Sequence, residues 1–437
     1  LGAIWLGINR NLATAEKRYL VEDAGVSLVL CDPEMAAQFA SIAEDVSDLD
    51  RVIVCDAQDP ECEWARLMAE TTAPPPLVGI DPFQPGGLAY TSGTTGFPKG
   101  VVHSHHNLLV PGAVQSRMED YRPGAVRGDC FPLTILNMQI LSALLVAQAG
   151  ATLVLMDRID SQGVTEFIRD EGVTLFTAPP ALLYSLAHDD GVAREDLRSL
   201  RRVLFGGAAC PQSIIDDFES KFDVPVQGTY GLTEFPTAAT IEPEDGRVTG
   251  ASGVPLSHVR LTIRDEEGRE VPTGERGEVC LEATDEGPWA GVYSPMLGYW
   301  RRPEATAETV RDGRLHTGDI GQVDEGGNLT IVDRKNVLIV RGGANVYPAE
   351  IERVLQADER VEACAVVGVP DERLGERVAA WIQLAPGATL DPAELIERCR
   401  ADLAQYKVPE RIELIDEMPR NAMNKIVRRE LPPIELS

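Results

Sequence analysis

From residue 150 to residue 235 the hydrophobic period of the chain keeps changing. Thr152–Met156 reads as a strand and Val164–Asp170 as a helix. Val173–Thr177 returns to a strand, and Pro180–His188 to a helix with proline in its first turn, where the missing N–H costs nothing. Val203–Phe205, Ile214–Phe222 and Val226–Gly228 repeat strand, helix, strand. Parallel strands need long crossovers, and a helix is the crossover that packs back onto the sheet, so this alternation predicts a parallel sheet with helices on its faces. Ligands of such sheets bind beyond the carboxyl ends of the strands. Two unusual loops fall there: Phe205-Gly206-Gly207-Ala208-Ala209 and Gly228-Thr229-Tyr230-Gly231-Leu232-Thr233-Glu234.

A third loop carries the clearest chemistry. Tyr90-Thr91-Ser92-Gly93-Thr94-Thr95-Gly96-Phe97-Pro98-Lys99-Gly100 packs hydroxyls, glycines and a lysine between two strand-like runs, Gly87–Tyr90 and Val101–His103. Glycine lets backbone approach a ligand closely, while hydroxyls, free N–H groups and an ammonium all donate to phosphate oxygens. The composition is that of a polyphosphate cradle. It is not a Walker loop, because the GxxxxGK[ST] spacing is absent and no helix follows at once. A plain Gly/Thr-rich hairpin turn is the bland alternative, and it needs far fewer donors.

The rest of the chain frames these loops. Ala3–Leu6, Thr14–Asp23 and Ser27–Cys31 read strand, helix, strand, and Arg51–Cys55 adds another strand before a proline-rich connection from Ala73 to Pro85. Ser104 caps a helix opening at His105. The histidines His103, His105 and His106 invite a metal reading that lacks a second ligand cluster. Ile140 to Met156 is the longest uncharged, mostly apolar run, read as a buried helix ending near Gly150 and a strand after it, not a membrane span. His258–Arg264 and Gly277–Glu282, with turns at Glu267-Gly268 and Thr273-Gly274, predict a small antiparallel β-rich part. A helix from Pro348 to Leu355, strands Glu362–Val367 and Arg377–Leu384, and a cap at Asp391 make the tail a compact α+β unit.

Composition excludes some partners. The formal charge is −29, from 40 basic and 69 acidic residues, so nucleic acid and anionic membranes are poor partners for the overall field. The eight cysteines form no CxxC pair and sit mostly in apolar runs, as core thiols of a reducing cytoplasm do. There is no internal repeat.

Six motifs, in order from residue 90 to residue 426, closely resemble those of the adenylate-forming (AMP-binding) superfamily, which holds acyl-CoA synthetases, peptide-synthetase adenylation domains and firefly-type luciferases. They are the phosphate loop; the YGxTE-like Tyr230–Glu234; the TGD-like Thr317-Gly318-Asp319; the domain boundary Ile331-Val332-Asp333-Arg334-Lys335-Asn336; Gly342-Gly343-Ala344-Asn345-Val346-Tyr347-Pro348; and Pro419–Ile426 around Lys425. The resemblance implies an α/β large domain of parallel-sheet layers with a small β-rich subdomain, residues 1–333, and a small mobile α+β C-terminal domain, 334–437, hinged near Asn336. The family usually has Asp or Lys at the hinge and Gly where Asn424 precedes Lys425. It also places further segments before Leu1, so apolar sheet faces are expected to stand uncovered and residues 1–437 alone to be poorly soluble or weakly active.

The resemblance implies site roles too. Thr91 to Gly96, with Lys99, hold the phosphates of ATP. Gly207, Ala208, Gly228, Thr229 and Tyr230 border the nucleotide, with Tyr230 offering a flat face to adenine. Asp319 and Arg334 take the ribose. Thr233 donates to the α-phosphate, and Glu234 is a hard oxygen ligand for Mg²⁺. Gly342, Gly343, Asn345 and Tyr347 serve coenzyme A. Lys425 reaches the reacting groups from the C-terminal domain. Pro132–Gln139 resembles the family's acyl-pocket segment, with Ile135 in place of a histidine; Ile135, Asn137, Met138 and Gly228 then form an apolar acyl pocket. The implied reaction joins a carboxylic acid to ATP as acyl-AMP, releasing pyrophosphate, and passes the acyl group to coenzyme A. Transfer to a carrier protein or an amine, and a non-catalytic nucleotide- or acyl-binding role, are the alternatives. No Ser-His-Asp set is needed or evident. The partners are a small carboxylate, ATP and coenzyme A, with a homodimer an allowed assembly.

Overall fold

The alternating segment forms the predicted sheet. In the computed structural model, which describes all residues except 1, 72–78, 93–96, 119–120, 122–123, 207–209, 335–338, 421–425 and 437, five strands run parallel in the order Thr152–Leu155, Val126–Asp129, Leu175–Thr177, Arg202–Gly206, Val226–Leu232. Thr237–Ile241 and Val254–Pro255 extend it antiparallel. The helices Ser161–Glu171, Pro180–His188 and Gln212–Phe222 cover it, burying Val173, Phe176, Leu183, Val203, Phe218 and Val226 almost completely. Each such side chain contributes about 1.5–3 kcal/mol on leaving water. Local signals set the boundaries: the Asp160 carboxylate accepts the Gly163 N–H at the start of Ser161–Glu171, and Gly172 ends that helix at φ +63°.

One predicted helix is irregular. Residues 136–149 start as a single turn, Leu136–Met138, widen into a π-helix over Gln139–Leu144, and resume as Leu145–Ala149 before Gly150 at φ +65°. The widened stretch coincides with a buried polar group. Arg127 bonds the Tyr121 hydroxyl at 2.8 Å, Thr177 Oγ1 at 2.7 Å and Ser142 Oγ at 3.4 Å, and Ser142 donates to Asp129. An unpaired guanidinium here would be very costly, so the helix bends to its partners.

A second sheet holds Trp5–Leu6, Pro85–Ser92, Pro98–Ser104 and Gly298–Tyr299. Its central strands pair Tyr90 with Gly100, Thr91 with Lys99 and Ser92 with Pro98, on either side of residues 93–96. The helix Thr14–Ala24 braces it: Tyr19 donates to the Pro98 carbonyl at 2.9 Å, and Asp23 accepts from the Tyr90 hydroxyl at 2.6 Å and pairs with Arg302 at 2.9 Å. The β-rich part is antiparallel as predicted, with Val259–Arg264, Gly277–Ala283, Arg314–Val323 and Leu329–Arg334 in succession. The tail builds its own sheet from Ala344–Val346, Ile339–Arg341, Gly375–Leu384 and Val361–Asp371, with Arg411–Leu414 alongside, and its own core under helices Pro348–Gln356 and Pro392–Asp402. Leu28 and Leu30 stand half-exposed on the outer face of the pair Leu28–Cys31 and Arg51–Val54. Among the described residues, no helix is long and apolar enough to cross a membrane.

Candidate active site

A cavity of about 1840 Å³ opens where the carboxyl ends of the parallel strands, the phosphate hairpin, the β-rich sheet and the C-terminal domain meet. Thr91 and Lys99 enter it from the hairpin, and Thr229, Gly231, Thr233 and Glu234 from the strand Val226–Leu232 and its exit. Glu234 Oε1 accepts the Tyr299 hydroxyl at 2.7 Å and lies 3.5 Å from Thr91 Oγ1. Burial raises the Glu234 pKa, against the opposing pull of Tyr299, Lys99 and Thr91. The Lys99 ammonium sits 5.1 Å from the centre of the Tyr299 ring. A hard carboxylate penalised for its own charge, beside hydroxyls and an ammonium, is a donor set that a divalent cation with phosphates relieves.

Beneath this corner His103, fully buried, contacts the Thr233 carbonyl through Nε2 at 2.7 Å. A carbonyl only accepts, so Nε2 carries the proton. Burial lowers the ring's pKa to about 4 and keeps it neutral. The three histidines part company: His106 contacts the Val292 carbonyl and His105 packs over Gly86. Of the three, it is His103 that reaches the nucleotide loop.

Asp319, 9% exposed, follows Gly318, whose φ is +75°. Two groups fix that irregularity within the strand Arg314–Val323. Glu278 accepts the Gly318 N–H at 3.2 Å and contacts His316 Nδ1 at 3.1 Å, and the Tyr230 hydroxyl donates to Asp319 Oδ2 at 2.7 Å. Glu278, Cys280 and His316 are the one group of metal-ligating side chains found together among the described residues, and hydrogen bonds already link them. The backbone of Arg334 lies opposite that of Asp319 in the register of the two strands.

Tyr230 and Gly228 are both buried beside the cavity. Tyr230 is 6% exposed and packs among Val101, Phe235 and Leu281, so its ring is not a cavity wall and its visible task is to hold Asp319. Gly228 is buried as well: a Cβ there would meet Phe205 at 2.9 Å and Glu242 at 3.0 Å, and its N–H donates to Glu242. One cause serves both, for side chains alternate along a strand, and here Thr229 and Gly231 take the cavity side.

One end of the cavity is largely apolar. Ile135, Asn137 and Met138 line it with Leu141, Met156 and Leu182. Asp157 and Asp160 are the charged residues of segments 130–141 and 156–161 that line the cavity, and Arg158 between them pairs with Asp160 and Glu166. Across the cavity the C-terminal domain presents Gly342, Gly343, Asn345 and Tyr347. Gly342 and Gly343 take φ of +59° and +85°, and a Cβ on Gly343 would lie 2.8 Å from Pro179. Glycine is required there both for conformation and for closeness. Gly93, Thr94, Thr95, Gly96, Gly207, Ala208, Asn336 and Lys425 lie outside the described residues. The bridge Arg420–Ile426 frames the segment of Lys425, and Arg420 borders a separate shallow pocket with Met418 and Glu430. Tyr299, Glu278 and His103 were not foreseen as site residues. The place of Tyr299 beside Lys99 comes from the pairing of Gly298–Tyr299 with Val102 and Val101, which no local signal announces.

A model of the AMP-binding enzyme family matches residues 1–300, and one of the AMP-binding enzyme C-terminal domain matches residues 350–425. The chain belongs to this adenylate-forming family. It is 35% identical over 439 residues to the fatty acid–[acyl-carrier-protein] ligase ScoC of Streptomyces coeruleorubidus, covering 98% of this chain and 82% of that protein. It is 36% identical to the 2-succinylbenzoate–CoA ligase of Geobacillus kaustophilus (99% and 83% covered) and 35% identical to a feruloyl-CoA synthase of an Amycolatopsis species (98% and 83%). Among solved structures it is similar to the amide bond synthetase McbA of Marinactinospora thermotolerans, with a TM-score of 0.85 at 31% identity, covering 98% and 84%. A double mutant of the o-succinylbenzoate CoA synthetase MenE of Bacillus subtilis, bound to its product analogue OSB-NCoA, gives 0.84 at 28% identity, covering 99% and 83%.

Proposed function

We propose that this chain is an ATP-dependent acyl-CoA synthetase for a monocarboxylic acid with a bulky apolar body. It is an AMP-forming acid–thiol ligase. In the first half-reaction a carboxylate oxygen attacks the α-phosphorus of ATP, and the bond to the β-phosphate oxygen breaks, giving acyl-AMP and pyrophosphate. In the second the thiol of coenzyme A attacks the acyl carbon, loses its proton, and expels AMP. Adenylation converts a poor leaving group into a good one, so positioning and charge neutralisation carry most of the catalysis.

The family motifs support the following roles. Thr91, Lys99 and the loop 93–96 hold the phosphates, and Thr233 donates to the α-phosphate. Glu234 is the residue that would hold Mg²⁺, whose charge offsets that of the phosphates when bound. Asp319, tethered by Tyr230, takes the ribose hydroxyls with Arg334. Lys425 serves adenylation after the C-terminal domain, residues 334–437, turns about Asn336. The observation that carries the reading is the shared cavity: Gly342–Tyr347 faces Thr91, Lys99 and Glu234 across one space. The same arrangement suits the second half-reaction. The likeness to MenE with its product analogue, at 0.84, exceeds that to ATP-bound MatB of Rhodopseudomonas palustris, at 0.69, over nearly equal shares of this chain.

The acid's character rests on the wall around Ile135 and Met138. Apolar walls select by burial at about 25 cal/mol per Å², and a second carboxylate would meet Asp157 and Asp160 at that wall, where the nearby Arg158 is already paired with Asp160 and Glu166. Eight free cysteines favour a cytoplasmic setting. Transfer to a carrier protein or an amine is the second reading, favoured by the likeness to ScoC and McbA. Pyrophosphate release over a carboxylate panel tests the substrate class. Octanoate and cyclohexanecarboxylate are expected to exceed acetate and succinate in kcat/KM; a preference for acetate overturns it.

A further inference from the structure

The contact between the two domains is built around one buried ammonium. Lys407, 6% exposed, belongs to the C-terminal domain and lies between two carboxylates. Its Nζ is 2.8 Å from Glu350 Oε2, in the first turn of the helix that follows the loop Gly342–Tyr347. It is 2.7 Å from Glu16 Oε1, in the first turn of helix Thr14–Ala24 on the large domain. The other oxygen of Glu16 is also engaged. It accepts the Ala13 N–H at 2.8 Å, closing its own helix, and the Ala404 N–H at 2.9 Å, across the interface. Burial alone would lower the Lys407 pKa, but Glu350, Tyr406 and Glu16 raise it overall, so the ammonium is charged where it sits.

The two partners of Lys407 differ in one respect. Glu350 is on the same domain and travels with the lysine. Glu16 is on the other domain, so any turn of the C-terminal domain breaks both the ion pair and the bond to Ala404. Close by, the Arg353 guanidinium stacks at 4.4 Å over Phe97, the residue that follows the phosphate-loop segment 93–96, and Gly343 touches Pro179. The docked state is therefore held against the phosphate hairpin itself, with Gly342–Tyr347 facing the cavity.

We infer that Glu16 is a positioning residue for the thioester half-reaction: through Lys407 and Ala404 it docks the C-terminal domain with its glycine loop at the site. The inference rests on the two-step reading above. Glu16 touches no reacting atom, and its effect is on the balance between the docked arrangement and the one that brings Lys425 in. A side chain that stabilises one of two arrangements typically shifts their ratio by roughly 5–150-fold.

The test is Glu16→Gln, which keeps an acceptor for both backbone N–H groups and removes the charge. Thioester formation from supplied acyl-AMP and coenzyme A is expected to fall about tenfold or more, while pyrophosphate release from ATP and acid stays level or rises. Glu16→Asp should recover part of the loss. Hydrogen exchange over residues 403–407, measured without coenzyme A, should speed up in Glu16→Gln. Equal losses in both half-reactions, or unchanged exchange, overturn the inference. A wild-type chain that makes no thioester from acyl-AMP would instead refute the functional reading, and the exchange measurement would still decide whether Glu16 holds the domains together.

Discussion

Removing one oxygen atom separates two accounts of Tyr230. In the first its ring is a platform for adenine; in the second its hydroxyl holds the Asp319 carboxylate at 2.7 Å in a site where Tyr230 is 6% and Asp319 9% exposed. Tyr230→Phe keeps the ring and deletes the bond. A hydrogen bond to a carboxylate contributes about 1.5–3 kcal/mol, and the orphaned oxygen has little water to replace it. At 1.4 kcal/mol per factor of ten, Asp319 should hold the ribose roughly 10–100-fold less tightly. The prediction is a rise of that size in the Kd for AMP, measured by calorimetry, and in the KM for ATP, with the KM for the acid near its wild-type value. Glu278 still holds Gly318 in the variant, so the local backbone of the strand should survive. The reasoning is refuted if Tyr230→Phe binds AMP as the wild type does while Tyr230→Leu does not, because the ring face would then carry the affinity.

Two further outcomes are expected. Lys425→Ala should cut pyrophosphate release by roughly 10²–10³ through loss of a preorganised charge, yet still convert supplied acyl-AMP and coenzyme A at near wild-type rate; an equal fall in both half-reactions contradicts this. Acid should destabilise the fold through His103 and His258, whose pKa values burial lowers to about 4. The unfolded chain then binds more protons than the folded one below about pH 6.5, so the stability these neutral rings contribute is present above that pH and is lost as it falls toward 4. By pH 5 the loss is about 2 kcal/mol for each ring. Tm should drop between pH 7 and pH 5, and less steeply in His103→Gln; a variant with the wild-type slope contradicts the assignment.

Much of this molecule is legible in its sequence because local rules and tertiary structure agree. The parallel sheet follows from the alternation of strand and helix between residues 150 and 235, and the phosphate hairpin from its donors and flanking strands. The burial of Gly228 and Tyr230 has a readable cause. The strand was taken to end at Gly228, whereas it runs to Leu232. With its full length in hand, period-2 alternation puts Thr229 and Gly231 on one face and Gly228 and Tyr230 on the other. The π-helical stretch was not legible, because Arg127 reaches it from a strand and its need for partners is a tertiary fact. Tyr299 was hidden for the same reason: nothing local ties it to Glu234, 65 residues away. The Glu16–Lys407 contact spans 391 residues and lies beyond any local signal.

The central claim is that the activated acyl group passes to coenzyme A at the cavity shared by Glu234 and the Gly342–Tyr347 loop. The most direct measurement is acceptor competition on one acid: octanoate and ATP are supplied with coenzyme A, an acyl carrier protein bearing its phosphopantetheine, or a simple amine, and the products are weighed by mass spectrometry. The account predicts octanoyl-CoA formed with equal amounts of AMP and pyrophosphate, and little acyl transfer to the other two. Acyl-AMP that accumulates in the presence of coenzyme A, or passes to the carrier protein or the amine instead, would contradict it.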